Sequence, residues 1–217
     1  MREEPGFSGF FCYTIAMEII ERTSGIVSTC SYLVKDSGKI YLIDAPDSNK
    51  EIIDLIKKEG RLDGVFLTHG HFDHIMGLEN IYRLFPNTPI YLDKADLDLV
   101  ESKNIIFLQS FGIPTSLYSI PKEIKFTQYS EKVGSFSVIN TPGHTMGSVV
   151  LYAKDYGIAF TGDTLFCGGE GRTDLGGDYL SLVSSLKKIL HTLDEKTVLY
   201  PGHGGYTTIK REKERLF

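Results

Sequence analysis

The reading of this chain turns on Gly64-Val65-Phe66-Leu67-Thr68-His69-Gly70-His71-Phe72-Asp73-His74. The first five residues form a short apolar run of the buried-strand kind. The next six carry three imidazoles and a carboxylate. Gly70, directly after the first histidine, breaks the regular strand and turns the string into a loop at a strand end. On such a loop His69, His71, Asp73 and His74 (i, i+2, i+4 and i+5) converge from several directions, which a regular helix or strand forbids. Neutral imidazole and carboxylate are the donors that borderline-soft divalent metals such as zinc take. The adjacent pair Asp73-His74 adds enough donors for a second metal.

The same context recurs further along the chain. His144 sits in Thr141-Pro142-Gly143-His144-Thr145, and His203 in Tyr200-Pro201-Gly202-His203-Gly204. Each follows an expected strand and lies beside Gly or Pro. Asp163, in Phe160-Thr161-Gly162-Asp163-Thr164, again lies just past an apolar strand. A carboxylate placed there can bridge two cations, one oxygen to each. Of the six histidines only His191 falls inside a helical pattern, and it reads as a helix residue near a C-terminal end. Cys167 reads as a small buried residue outside the chemistry.

Around these loops the pattern alternates strands and helices. Residues 8–45 read as strands, with Asp36-Ser37-Gly38-Lys39 as a hairpin turn. Asp47 or Ser48 caps an expected helix with Ile52, Ile53 and Ile56 on one face, ending at Gly60. A helical pattern from Ile75 to Phe85 precedes a strand at Pro89–Leu92. The second half gives strands at Phe136–Asn140, Ser148–Ala153, Gly157–Thr161 and Thr197–Tyr200. A helix starting at Asp178 presents Leu182, Val183, Leu186, Ile189 and Leu190 on one side. Strand groups with interposed helices imply an α/β chain of two packed sheets with helices outside. No linker, charge block or low-complexity tract divides residues 1–217, so one domain is expected.

Composition bounds the partners. With 41% hydrophobic and 24% charged residues the chain is globular, neither disordered nor fibrous. Lys plus Arg is 23 against 28 for Asp plus Glu, and the net charge of −5 argues against a nucleic-acid partner. Cys12, Cys30 and Cys167 are odd in number and in no C-x-x-C spacing, as a reducing compartment permits. The start Met1-Arg2-Glu3-Glu4 is acidic where a signal peptide is basic, and no window is long enough to span a bilayer. The expectation is a soluble, cytoplasmic protein, its oligomeric state open.

These loops resemble those of the metallo-β-lactamase superfamily, from about Tyr32 to Thr208. The resemblance implies a four-layer αββα sandwich with a dinuclear site at the sheet ends. It implies His69, His71 and His144 as ligands of the first metal, Asp73, His74 and His203 as ligands of the second, and Asp163 as the bridge. The string Gly162-Asp163-Thr164-Leu165-Phe166 with Gly171-Arg172-Thr173-Asp174 is similar to the glyoxalase II-like hydrolases and to the persulfide dioxygenases, and the ending Pro201-Gly202-His203-Gly204 with Thr207-Thr208 looks most like the short, stand-alone glyoxalase II-like hydrolases. Those lack the C-terminal helical domain that helps hold glutathione. The implied activity is hydrolysis of a small-molecule thioester such as S-lactoylglutathione by a metal-bridging hydroxide, with two divalent ions, zinc first and iron or manganese as alternatives.

Asp73 and Asp163 then serve catalysis as the ligands that place the nucleophile, and Arg172 and Tyr206 are the candidate substrate contacts. Asp44, at the end of the strand Ile40–Ile43, is a candidate to hold a ligand imidazole from behind. Two rival readings stand beside this one. The first is a persulfide dioxygenase-like protein with one iron held by His69, His144 and Asp163. The second is a metal-binding protein without catalysis.

Overall fold

Period-two alternation along the strands sorts the side chains into three apolar layers. The computed structural model describes residues 17–46 and 50–216. One sheet runs in the order β1 (Glu18–Ser24), β2 (Thr29–Asp36), β3 (Lys39–Ile43), β4 (Gly64–Phe66), β5 (Ile90–Tyr91) and β6 (Phe126–Thr127). The other is built from β7 (Lys132–Val133), β8 (Phe136–Asn140), β9 (Val149–Ala153), β10 (Ile158–Gly162), β13 (Val198–Pro201) and β14 (Thr207–Thr208). Its strand order is β14-β13-β10-β9-β8-β7. A small hairpin, β11 (Leu165–Phe166) with β12 (Gly169–Glu170), stands apart from both.

Tyr32, Val34, Tyr41, Ile43 and Phe66 of the first sheet face Phe136, Leu151 and Phe160 of the second, and these form the central core. The residues between them point the other way. Leu33, Leu42 and Val65 pack under the helices α1 (Lys50–Glu59), α2 (Phe72–Ile75) and α3 (Leu78–Leu84). Val150, Tyr152, Ala159 and Leu199 pack under α5 (Tyr179–Thr192) and α6 (Ile209–Leu216). Helix, sheet, sheet, helix is the four-layer αββα order expected from the sequence. Burying such side chains is worth about 1.5–3 kcal/mol each, so the alternation fixes which face of each strand points inward.

The hairpin turn falls at Ser37-Gly38, both with positive φ (49° and 75°), the pairing that a two-residue turn between twisted strands needs. Asp178 caps α5 by accepting the Ser181 N–H at 2.7 Å. The expected cap of α1 at Asp47 or Ser48, and strand residues 8–16, lie outside the described residues.

Two expectations are corrected. The helical pattern from Ile75 to Phe85 is two helices, not one. Ala45 N–H donates to His74 O and Gly77 N–H to Ala45 O, each at 2.8 Å, and these bonds clip the chain between α2 and α3 to the end of β3. Two helices also lie where the sequence suggested none: α4 (Asn104–Ser110), entered through a π-helical turn at Leu99–Lys103, and the largely charged α6.

Strand direction then places the loops. β3 pairs parallel with β4, β10 pairs parallel with β13, and β8 and β10 both run antiparallel to β9. The carboxyl ends of β3 and β4 therefore share one edge, as do those of β8, β10 and β13 in the other sheet, the usual place for a site in open α/β sheets. Two backbone bonds join the sheets there: Val149 N–H to Thr68 O at 2.9 Å and Cys30 N–H to Gly202 O at 2.7 Å.

Candidate metal centre

All seven histidine and aspartate side chains singled out from the sequence meet at this edge. Donor atoms of His69, His71 and His144 lie within 4.8 Å of one another, as do those of His69, His74 and Asp163, and those of Asp73, His74 and His203. Asp163 faces both ends of the cluster. Its Oδ1 is 3.3 Å from His74 Nε2, and its Oδ2 is 3.5 Å from His144 Nε2 and 3.4 Å from His203 Nε2. Asp73 Oδ2 lies 3.3 Å from His203 Nε2 and accepts the Thr29 hydroxyl at 2.9 Å.

Each imidazole has one nitrogen held from behind, which sets the nitrogen it presents inward. His69 Nδ1 is 3.2 Å from Thr68 Oγ1. His71 places Nε2 at 2.9 Å from Leu175 O, so its Nδ1 faces the cluster, 2.8 Å from His144 Nε2. His144 Nδ1 contacts Arg172 O at 2.6 Å, and His203 Nδ1 is 3.4 Å from Ser28 O. His74 Nδ1 meets Asp44 Oδ2 at 2.8 Å.

Asp44 was a candidate for this role, and it does more than hold one ring. It also accepts the Thr68 N–H and hydroxyl, both at 2.8 Å. Its backbone takes φ 56°, a left-handed conformation that costs a non-glycine residue on the order of 1 kcal/mol or more.

Three inward atoms, His69 Nε2, His74 Nε2 and Asp163 Oδ1, are buried and make no hydrogen bond. A buried polar atom left so costs roughly 1–3 kcal/mol. Two imidazole nitrogens and a carboxylate oxygen converging in this way are the donor set a divalent cation takes, so the residues fit a metal.

The charges support the fit. Burial, reinforced by neighbouring histidines, lowers His69 well below the ordinary imidazole value; burial also lowers His71, and takes His144 down to about 4. These three are neutral, as ligands must be. For His74 and His203 burial acts in the same direction but loses. Asp44, Asp73 and Asp163 hold His74 well above its usual value, and Asp163 with Asp73 holds His203 up at about 9. Burial would raise Asp73 and Asp163, yet His74 and His203 keep both below the usual carboxylate range. Protonated His74 and His203 thus supply, beside the same two carboxylates, the positive charge that a divalent cation would bring.

Two supporting residues were not read from the sequence. Asp96, fully buried, accepts Gly70 N–H at 2.8 Å, Thr145 Oγ1–H at 2.7 Å and Gly147 N–H at 2.7 Å, so one carboxylate joins the His69–His71 loop to the His144 loop. Asn104, also buried, donates to Gly70 O at 2.8 Å and accepts Phe72 N–H at 3.1 Å. Nothing in local pattern marks either one: Asp96 lies 26 residues from Gly70 and 49 from Thr145, and Asn104 lies 34 from Gly70. Gly202 is a legible signal in retrospect, since a Cβ there would run into Asp163 Oδ1 and the His74 ring.

A pocket of about 530 Å³ opens over the cluster, walled by Val27, Phe72, Phe111, Phe166 and Leu175. Arg172 lines it, but its guanidinium is bound by both oxygens of Asp174 at 2.5 Å. Tyr206 does not line it. That side chain is exposed, and its ring lies 6.5 Å from the ring of Tyr200. Cys167 is half-buried, not buried as expected, and falls in none of the donor groups. His191 sits in the last turn of α5, its Nδ1 at 2.6 Å from Lys187 O.

An αββα sandwich carrying a histidine–aspartate centre at the strand ends defines a metal-binding hydrolase class. The profile of the metallo-beta-lactamase superfamily matches residues 25–203, and the chain belongs to that superfamily. It is 34% identical over 203 residues to hydroxyacylglutathione hydrolase GloC of Haemophilus influenzae, covering 91% of this chain and 94% of the relative. Among solved structures it is similar to TTHA1623 in a di-iron-bound form (TM-score 0.80, 31% identity, 90% of this chain and 98% of that one). It is comparably similar to BLEG-1 B3 metallo-beta-lactamase (TM-score 0.79, 31% identity, 91% and 97%). No helix among the described residues is long and apolar enough to cross a membrane.

Proposed function

We propose that this chain, as a single domain over residues 1–217, is a thioester hydrolase working with two divalent metal ions. His69, His71 and His144 hold one ion, Asp73, His74 and His203 hold the other, and Asp163 serves both. The observation that carries the reading is what the pocket wall lacks. Among the described residues no Ser, Cys, Lys or Tyr lines it, and its protic side chains are Arg172 and the centre itself. Outside the centre, then, the wall brings no nucleophile, and with Arg172 held by Asp174 it offers no free acid to protonate a leaving group. Bound divalent ions lower the pKa of water from 15.7 to about 7 and polarise a carbonyl.

The chain's residues do the rest. Leu175 O and Arg172 O hold His71 and His144 in place, and Phe72, Phe111 and Phe166 exclude bulk water from the walls. A thiol, with a pKa of about 8.5, departs as thiolate without an acid, whereas an amide nitrogen must be protonated to leave. This favours a thioester over a lactam. The name of the Haemophilus relative points the same way. Donors for a second ion stand beside Asp163, at His74 and His203, and the number of ions bound distinguishes this reading from the single iron of a persulfide dioxygenase. Zinc suits the donors, and the di-iron neighbour makes iron the alternative to test. The free thiols Cys30 and Cys167 support a reducing, cytoplasmic setting.

The test combines elemental analysis of protein purified without added metal with three assays: thioester cleavage, β-lactam cleavage, and oxygen uptake with glutathione persulfide. About two ions and thioester cleavage are expected. One iron with persulfide-dependent oxygen uptake overturns the reading, as does lactam cleavage without thioester cleavage.

A further inference from the structure

Apolar surface around the centre extends beyond what a small polar acyl group covers. A second groove of about 200 Å³ adjoins the first pocket, sharing Phe72 and Asp73 with it and adding Ile26, Met76 and Leu117. Large apolar side chains stand open to solvent along this path: Ile26 at 51%, Val27 at 45%, Phe111 at 45% and Leu117 at 52%. They come from two separate segments, the turn between β1 and β2 and the stretch after α4, and both meet at the mouth of one site. Exposed apolar side chains scattered singly need no explanation, but a connected set beside a reactive centre marks a binding surface.

Charge runs the same way. Among the described residues the second groove is lined by no Lys or Arg, its charged groups being Asp73 and Glu79, and the only Lys or Arg of the first pocket, Arg172, is held by Asp174. Thiols that carry acyl groups in water are themselves polar, so an apolar wall is suited to the acyl side.

We infer that the path from the centre over Phe72 to Ile26 and Leu117 binds an apolar acyl chain, making thioesters of several-carbon acyl groups the preferred substrates. This rests on the thioester reading above. A substrate straddling both pockets keeps its carbonyl at the centre and buries methylenes against Phe111, Phe72 and Leu117.

The experiment uses the metal-loaded protein and N-acetylcysteamine thioesters from acetyl to hexanoyl, so that only the acyl chain changes. Four fully buried methylenes would raise kcat/KM roughly 200-fold; in a groove partly open to solvent we expect at least tenfold. Leu117→Ala and Phe111→Ala, both at exposed positions, should each lower the hexanoyl-to-acetyl ratio about threefold or more. Cleavage of the whole series at a flat ratio overturns the inference and leaves the thioesterase reading standing. If no member is cleaved while S-lactoylglutathione is, the inference falls and the thioesterase reading stands; if neither is cleaved, both fall. A flat ratio together with a dimer that Leu117→Asp splits assigns the patch to a second copy of the chain and overturns the inference too.

Discussion

The two halves of the centre are held mainly by different means, with the Leu175 carbonyl behind His71 and the Asp96 carboxylate on Thr145 and Gly147 as the exceptions. After β4, four candidate ligands lie within the six residues His69–His74, and the side chains that hold this loop come from elsewhere: Asp44 behind His74 and Thr68, and Asp96 and Asn104 on the two sides of Gly70. In the second sheet His144, Asp163 and His203 each stand alone after their own strand, and the two imidazoles lean on the backbone carbonyls of Arg172 and Ser28. Crowding donors in sequence leaves the loop too little chain to brace itself, so buried carboxylates and an amide from distant segments do it. Scattered donors can be braced by whatever carbonyl passes nearby. A side-chain brace is lost to one substitution, whereas a carbonyl brace survives any side chain that leaves the backbone in place.

The largest effect is expected where both halves meet. Asp163→Ala should empty both metal positions and cut activity on the order of 10³-fold or more, since ligand loss forfeits several kcal/mol of transition-state charge stabilisation. His203→Ala should empty mainly one position. Metal counting on the two purified variants decides this, and an Asp163→Ala protein still holding two ions would remove that residue from the meeting point.

Next comes Asp96→Asn. One amide oxygen cannot accept all three donors that the carboxylate accepts, and the new NH₂ faces buried donor groups. We expect a loss of about 2–4 kcal/mol in urea unfolding. The His69–His71–His144 set should lose metal before the other set, because both loops that Asp96 joins belong to it. A variant as stable as the parent would show that the two halves are not joined through this carboxylate.

The contrast between braces is sharpened by a pair of variants. Asp44→Ala should weaken metal binding about 10–100-fold, as removing the partner behind a ligating histidine typically does. Arg172→Ala should change it less than about threefold, since the Arg172 carbonyl, not its side chain, holds His144. Competition with a chelator measures both, and equal losses would erase the distinction.

The smallest effect lies behind the second sheet. Glu212, buried on α6, accepts from Gly168 N–H, Thr207 Oγ1–H and Arg215. Burial pushes its carboxyl up, but these partners outweigh it and leave the carboxyl below the ordinary 4.5. A lowered carboxylate pKa contributes stability that is fully present above the unfolded value and is lost as pH falls through the folded one. The stability gap between parent and Glu212→Gln should therefore be full at pH 6 and shrink below about 4.5, as followed by urea midpoints. A gap that widens on acidification contradicts the assignment.

Most of the architecture was legible locally. Tyr32, Val34, Tyr41 and Ile43 alternate with Leu33 and Leu42 in a sequence pattern that already separates two faces. Capping at Asp178 and the turn at Ser37-Gly38 are local chemistry as well. α6 was not legible, because Ile-Lys-Arg-Glu-Lys-Glu-Arg-Leu carries one buried apolar residue, Ile209, and its other buried group is the carboxylate of Glu212. α4 was not legible either, since its apolar run lacks a clear period and enters through a π-helical turn.

By itself the sequence determined the donors: their identity, their placement at the ends of apolar strands, and the Gly and Pro residues that free the backbone there. Those are properties of residue type and of neighbours a few positions away. Only the tertiary structure decided that His71 presents Nδ1 while the other four rings present Nε2, that Asp163 faces both donor sets, and that Asp96 and Asn104 hold the loop. Each of those depends on groups tens of residues apart brought within 3 or 4 Å by the packing of two sheets, and no local pattern encodes a contact whose partner is set by the register and stacking of strands.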